Sequence, residues 1–429
     1  MKSPIRSTCV LLAVCLGLLA TPSRAAEGDT LKIGIARTDI TPAKPVTMAG
    51  YGSRKDLSTG VHDPLSARVM VFASGHDSLV LVSVDLIGFY SGTAEFLRTA
   101  LLDEFDLEPS QLFLSAIHTH AGPSLGTDKD HAHPNNVEYT LALKDKLIAV
   151  IREAYEDLQP AAIGLGVGFS PVGSNRRELR VRESGETDIV LGRNPYGPTD
   201  KEVLVMKATN PDGELLAVAF DYATHATCLG PGNYQISGDV LGLAEQFVEK
   251  IMGSDVIAPA FAGASGNIDP WFRVLPTINT EPGWVPEPVL LGTFLGEEVV
   301  HVCRRIDRTQ STGKITTDFA ALELPGKPTE NAMVPNDRKP APFNVTVARI
   351  GDLAFVGLGG EVLTEIGMAI KAGSPCEHTF VITHCNGAAG YLAPKGLHVE
   401  GGYEVRSTRY APQAADTVMR ESIRMLHDL

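Results

Sequence analysis

Short apolar runs alternate with amphipathic stretches along most of this chain. "LKIGIARTDI" (31–40), "ARVMVFASG" (67–75) and "SLVLVSVDLIGF" (78–89) are rich in Val, Ile and Leu and predict β-strands. The last two are joined by a turn at Gly75, His76 and Asp77. "GTAEFLRTALLDEF" (92–105) instead sets Phe96, Leu97, Leu101 and Phe105 at helical spacing. A strand "LFLSAI" (112–117) follows, then a polar loop "GTDKDHAHPNN" (126–136) and a helix from Val137 to Leu158. "EVLVMKATNPDGELLAVAFDYATH" (202–225) reads as a hairpin around Pro-Asp-Gly, and helices are predicted near 240–252, 290–306, 362–372 and 412–428. Strands interspersed with helices, some of them in hairpins, predict an α/β fold of mixed β-sheets layered with helices. No internal repeat or long linker is visible, so residues 26–429 are expected to form a single domain.

The apolar strands share an unusual ending. "LFLSAI" leads to His118 and His120, "LLAVAFDYAT" to His225, and "VIAPAFAGASG" to Asn267 and Asp269. "LAFVGLGG" leads to Glu361, and "TFVITHCNGAAG" carries His384 and leads to Tyr391. An isolated His-x-His is ordinarily a surface pair or one hydrogen-bonded core histidine. Recurrence of acid/base or metal-binding side chains at glycine-flanked strand ends points to an active-site rim instead, because open α/β sheets bind ligands beyond strand carboxyl ends. Two imidazoles and a carboxylate from separate strands suit an open zinc site. Alternate residues of an extended segment point the same way, so one ring of the pair can hold metal while the other stands beside it.

The first residues change the picture of where the protein works. Lys2 and Arg6 precede "STCVLLAVCLGLLA", and Ser23 and Ala25 form a small-residue cleavage signal. Residues 1–25 therefore read as a secretory signal peptide, and the mature protein is expected to be secreted or periplasmic, without a transmembrane anchor. Loss of Lys2, Arg6 and Arg24 takes the formal charge from −14 to −17, which argues against nucleic acid as a partner. Cys228, Cys303, Cys376 and Cys385 remain, with no zinc-type spacing; a Cys376–Cys385 bridge and buried free thiols both stay open.

Several further segments belong with these: "IGIARTDITP", "MAGYG", "GVHDPLSARVMVF", "SAIHTHAGP", "SNRRE", "DYATHAT", "ISGDVLG", "GGE" and the Tyr391/Tyr403 pair. In this order they resemble the catalytic domain of the neutral (alkaline, non-lysosomal) ceramidase family across nearly the whole mature chain. The resemblance implies a zinc amidohydrolase acting on a lipid-like or small N-acyl substrate. It implies His118, His225, Glu361 and Tyr391 as zinc ligands and His120 as the group facing the substrate and attacking water. Tyr403, twelve residues after Tyr391, would then hydrogen-bond the developing oxyanion. Arg176 and Asn267 become expected substrate contacts.

Two departures qualify that expectation. The family's Gly-Asp-Val-Ser-Pro segment is "GNIDP" here, with Asn267 for the aspartate and Asp269 for the catalytically important serine. The chain also stops near 429, with no C-terminal immunoglobulin-like domain expected. Asp269 is expected either to position a substrate hydroxyl or to brace a ligating histidine, and as a charge near the site to exclude long lipid tails. Trp271 and Phe272 are the expected apolar wall. The alternatives are a zinc esterase or N-deacetylase on a polar substrate, and a non-catalytic binding homologue. Asp39, Asp85 and Asp239 read as turn or cap residues, Arg177 as a surface ion pair, and His131, His133 and His398 as solvated. His62 stays unassigned.

Overall fold

The computed structural model describes residues 30–253, 255–271, 287–327 and 339–429; the 1–25 leader and Phe272 lie outside the described residues. Three open sheets form the framework. The first runs in the order Leu112–Ala116, Asp77–Val84, Ser66–Ser74, Lys32–Asp39, Gln159–Pro160. The second contains Ala162–Phe169, Glu202–Thr209, Leu215–Tyr222 and Ala260–Ala262, and the third Ile315–Leu324, Ala341–Ile350, Leu353–Leu358 and His378–Ile382.

Each sheet is built to the same plan: three antiparallel strands, a crossover helix, then a parallel strand beside the third. The crossover helices are Thr93–Phe105, Asp239–Met252 and Thr364–Gly373. The repetition lies in topology, where no sequence repeat was expected. The sheets therefore are mixed, as the hairpins predict.

A central cluster draws on all three sheets: Met70, Phe72 and Phe113 from the first, Met206 and Phe261 from the second, Phe355 and Phe380 from the third. Helices cover the outward faces. Leu97, Leu143 and Leu147 do so on the first sheet, Val240, Leu295 and Val299 on the second, and Ile366, Val418 and Met425 on the third. Burial of such side chains supplies about 1.5–3 kcal/mol each, which is what holds the strand ends in register.

Some boundaries differ from expectation. The helix expected from Val137 starts at Pro134, because His133 caps it by accepting from the Asn135 amide (3.2 Å) and proline suits a first helical turn. His133 is thus a cap rather than a solvated side chain. Asp239 is not the N-cap but the first residue of its helix, where its carboxylate accepts from the amides of Cys228 and Leu229 (both 3.1 Å). All four described cysteines are buried free thiols, including Cys376 and Cys385. Among the described residues no helix is long and apolar enough to cross a membrane.

Candidate metal centre

The strand ends converge. His118 follows the parallel strand of the first sheet, His225 the third strand of the second, and Glu361 and His384 the corresponding strands of the third. Glu361 Oε2 lies 3.6 Å from His118 Nε2 and 3.7 Å from His225 Nε2. His120 Nε2 is 3.2 Å from His118 Nε2. The nitrogens of His118, His120 and His225 all lie within 4.8 Å of one another, a group able to hold a metal ion.

Backbone carbonyls fix two of the three rings. His118 Nδ1 is 2.6 Å from the Ile87 carbonyl, and His225 Nδ1 is 2.8 Å from that of Ser265. Each Nδ1 therefore carries the proton, and each Nε2 offers a lone pair, as metal-binding histidines usually require. His120 differs: its Nδ1 is buried without a hydrogen-bond partner, and its ring meets Tyr51 edge-on at 5.1 Å. Gly50, at φ +100°, lies so close that a Cβ there would stand 2.5 Å from His120 Nδ1.

Burial pushes the His118 imidazole down to about 4, against the opposing pull of Glu361. Burial, with His118 and His225 as neighbours, likewise lowers His120 well below the ordinary histidine range. Burial alone would raise Glu361, but the facing His118 and His225 rings hold its carboxyl well below its usual range.

Glu361 is held by a partner that the sequence patterns did not single out. Tyr90 Oη donates to Glu361 Oε1 (2.9 Å), whereas Oε2 is buried with no hydrogen-bond partner. A buried unpaired carboxylate oxygen is costly unless a cation balances it. Tetrahedral ligands at zinc–ligand distances near 2.1 Å stand about 3.4 Å apart, so the Glu361–histidine separations fit such an ion. Gly360 permits this approach, since a Cβ there would meet the Gly390 carbonyl at 2.7 Å.

Tyr391 pairs in register with Glu361 on a short parallel ladder, and its ring meets Tyr403 edge-on at 5.6 Å. Its Oη accepts from Arg176 Nη2 (3.0 Å). Burial raises the Tyr391 phenol well above its usual value, Glu361 adds to the rise, and Arg176 opposes it. Tyr403 is 41% exposed and stands at the rim, free to meet a ligand. Both tyrosines, with Met48, Tyr51, Tyr90, His120 and Glu361, line a cavity of about 490 Å³.

The expected substrate contacts are placed differently. Arg176 is buried with every guanidinium nitrogen engaged: Nε with Glu404 (2.9 Å), Nη1 with Asp269 (3.1 Å), and Nη2 with the Gly266 carbonyl (2.7 Å) and Tyr391. Its Nη1 also lies 3.4 Å from His225 Nε2, so the guanidinium reaches both Tyr391 and a candidate metal-binding histidine. Asp269 binds Arg176 and borders a different cavity, beside Ser174, Glu178 and Arg193. Its carboxylate is thus turned to an arginine rather than to the histidine cavity. Asn267 is fully buried and accepts from the Thr364 amide (2.9 Å) while donating to Glu365 (3.0 Å), which ties its loop to a helix start.

Arg177 is also no surface pair. It is buried and donates to Glu404 (2.9 Å), which is fully buried between the two arginines. Glu404, directly after Tyr403, is a residue the sequence patterns left unmarked. Asp39 behaves as a turn residue, accepting from the Thr41 amide (2.6 Å). Asp85 does not: it is fully buried, accepts from the Ser66 amide of the neighbouring strand (2.7 Å) and faces buried Arg68 at 3.5 Å. His62 leans on Asp63 (2.6 Å), which raises its pKa. Trp271 is partly exposed over Arg193.

Fold and site together define a mixed α/β protein with a convergent histidine–carboxylate centre. A family model described as neutral/alkaline non-lysosomal ceramidase, N-terminal, matches residues 31–268, and the chain belongs to this family. Among curated relatives, neutral ceramidase 1 of Arabidopsis thaliana is 26% identical over 237 residues, covering 51% of this chain and 29% of its own length. The neutral ceramidase of Mycobacterium tuberculosis is 27% identical over 270 residues, covering 56% of this chain and 39% of its own. The chain thus spans less than half the length of these relatives. The solved neutral ceramidase of Pseudomonas aeruginosa superimposes with a TM-score of 0.76 at 18% identity, over 93% of this chain and 74% of that one. A ceramidase complexed with C2 gives 0.73 at 17% identity, over 93% and 75%. These matches agree on the fold.

Proposed function

We propose that this chain is an exported zinc-dependent hydrolase that cleaves an N-acyl bond. The observation that carries this is the unpartnered, buried Glu361 Oε2 facing the Nε2 atoms of His118 and His225. His118, His225, Glu361 and Tyr391 would hold the zinc. When bound, zinc polarises an acyl carbonyl and makes water a competent nucleophile at neutral pH.

The remaining steps belong to the chain's own residues. His120 lines the cavity without being tied by a backbone carbonyl, so it takes the proton from the attacking water and passes it to the leaving amine. Tyr403 donates its hydroxyl to the oxygen that gains charge in the transition state. Arg176 acts on Tyr391 rather than on substrate, and Asp269 with Glu404 holds Arg176 in place. The tyrosine-rimmed cavity suits a short or polar N-acyl substrate better than a molecule with two long hydrocarbon chains. Export rests on the leader pattern at 1–25, with cleavage near Ala25.

Metal analysis followed by a hydrolysis screen over N-acyl lipids, N-acyl amino sugars and simple esters tests the proposal. One zinc per chain with amide turnover supports it. Zinc with ester turnover alone moves the substrate class, and absence of tightly bound metal favours a binding homologue.

A further inference from the structure

His384 ends one of the apolar strands, yet neither the ligand set nor the proton-transfer step uses it. Its ring lies face to face with that of His118, centroids 3.8 Å apart and planes 10° from parallel. His118 is held in its plane by Nδ1 at the Ile87 carbonyl and by Nε2 3.2 Å from His120 Nε2, and the His120 and His225 rings meet it edge-on. These in-plane and edge contacts fix which nitrogen faces the cavity, and they leave one flat face of the ring to be set by a neighbour. A flat neighbour against that face keeps the ring from tilting.

The backbone holds the two rings in this relation. His118 and His384 both adopt left-handed conformations, φ 62° and 51°, which are disfavoured for residues with a Cβ and persist only where the surroundings impose them. The loops carrying them are joined directly. Asn386 N donates to the Leu114 carbonyl (2.8 Å), Leu114 N donates to Asn386 Oδ1 (3.0 Å), and Ser115 bridges to Cys385. The His384 amide donates to the Gly360 carbonyl (3.2 Å), next to Glu361. Thr383 Oγ1 donates to the Ala262 carbonyl (2.9 Å), so the segment is fixed to the second sheet as well. The His384 ring itself is 3% exposed, and among the described residues no side-chain hydrogen bond accompanies the stack.

We propose that His384 is a positioning residue of the metal centre, whose stacked ring sets the plane of His118 so that Nε2 faces Glu361 and His225. It rests on the assignment of His118 as a ligand. The test is zinc affinity by chelator competition in the purified full chain, for the wild type and for His384→Phe, His384→Leu and His384→Ala. Phe supplies a flat ring without nitrogens, and Leu fills space without a flat face. Partners that orient a metal ligand typically change affinity 10–100-fold, so Leu and Ala are expected to weaken zinc by about that factor while Phe stays within about threefold. The visible spectrum of the Co²⁺-loaded protein should change in Leu and Ala but not in Phe, which a general loss of packing would not produce. Melting of the metal-free forms identifies any variant that fails to fold, and Phe against Leu then decides. Wild-type zinc affinity in folded Leu or Ala overturns the inference, as does a Phe variant as weak as Ala. A wild type that binds no zinc removes the metal assignment itself, and this inference with it.

Discussion

Glu361 and Tyr391 stand opposite each other on a two-residue parallel ladder, with Val362 facing Leu392 beside them. Two side chains from segments thirty residues apart thereby reach the same cavity, and Tyr90 fixes one oxygen of the carboxylate. Glu361→Gln should remove the charge that balances the cation. A ligand that binds only the folded state stabilises it by about 2.7 kcal/mol at a hundredfold excess over Kd. Chelator should therefore lower the wild-type melting temperature and leave that of Glu361→Gln nearly unchanged; equal shifts in both would argue against Glu361 as a ligand.

Gly50→Ala should separate catalysis from metal binding. A Cβ at φ +100° would meet His120 Nδ1 at 2.5 Å, and its three nearest atoms all belong to His120. A displaced acid/base removes about 10²–10⁴-fold of rate, so kcat should fall by that order with zinc content unchanged. Loss of zinc along with activity would show that the His120 ring helps to hold the ion.

Asp269→Ser bears on the residue that departs from the family pattern. Because the carboxylate pairs with buried Arg176 and borders another cavity, its removal should leave the preference between short and long acyl chains unchanged. It should instead destabilise the fold, since taking one partner from a buried ion pair costs about 3–5 kcal/mol. Glu404 remains on Arg176, which places the expected loss at the lower end in urea unfolding. A shift in turnover toward long-chain amides without loss of stability would restore Asp269 to the substrate cavity.

The elements and the strand ends that carry the candidate ligands are legible because each depends on local order: apolar runs, glycine-flanked turns and a single side chain at the end. His118, His225 and Glu361 stand where those endings put them. The contacts of Arg176 with Asp269, Glu404 and Tyr391 span 93 to 228 positions and leave no local pattern, so its burial among them is not visible in the sequence. Asn267 faces a helix start for the same kind of reason. Tyr90 follows a strand like many buried aromatics, and only the folded chain brings its hydroxyl to Glu361. The threefold plan of the sheets is not legible in the sequence because it repeats connections rather than residues.

Asp221 should impose a pH dependence on stability. Burial lifts its carboxyl to about 7, against the pull of Lys371 at 3.7 Å. The folded chain then keeps a proton that the unfolded chain loses near pH 4. This contribution is complete below pH 4, and falls by about 1.4 kcal/mol per pH unit as the pH rises toward 7. Asp221→Asn should remove that slope, so wild-type and variant urea midpoints should draw apart between pH 4.5 and 6.5 with the wild type falling. Parallel curves would count against a protonated Asp221.

The central claim is the division of labour between the two histidines of the His-x-His pair, and zinc content per chain tests it most directly. Metal analysis of the purified wild type should give one zinc per chain. His118→Ala and His225→Ala should lose both zinc and activity, and His120→Ala should lose activity while its zinc stays bound. A His120→Ala protein that loses zinc as fully as His118→Ala would contradict the assignment.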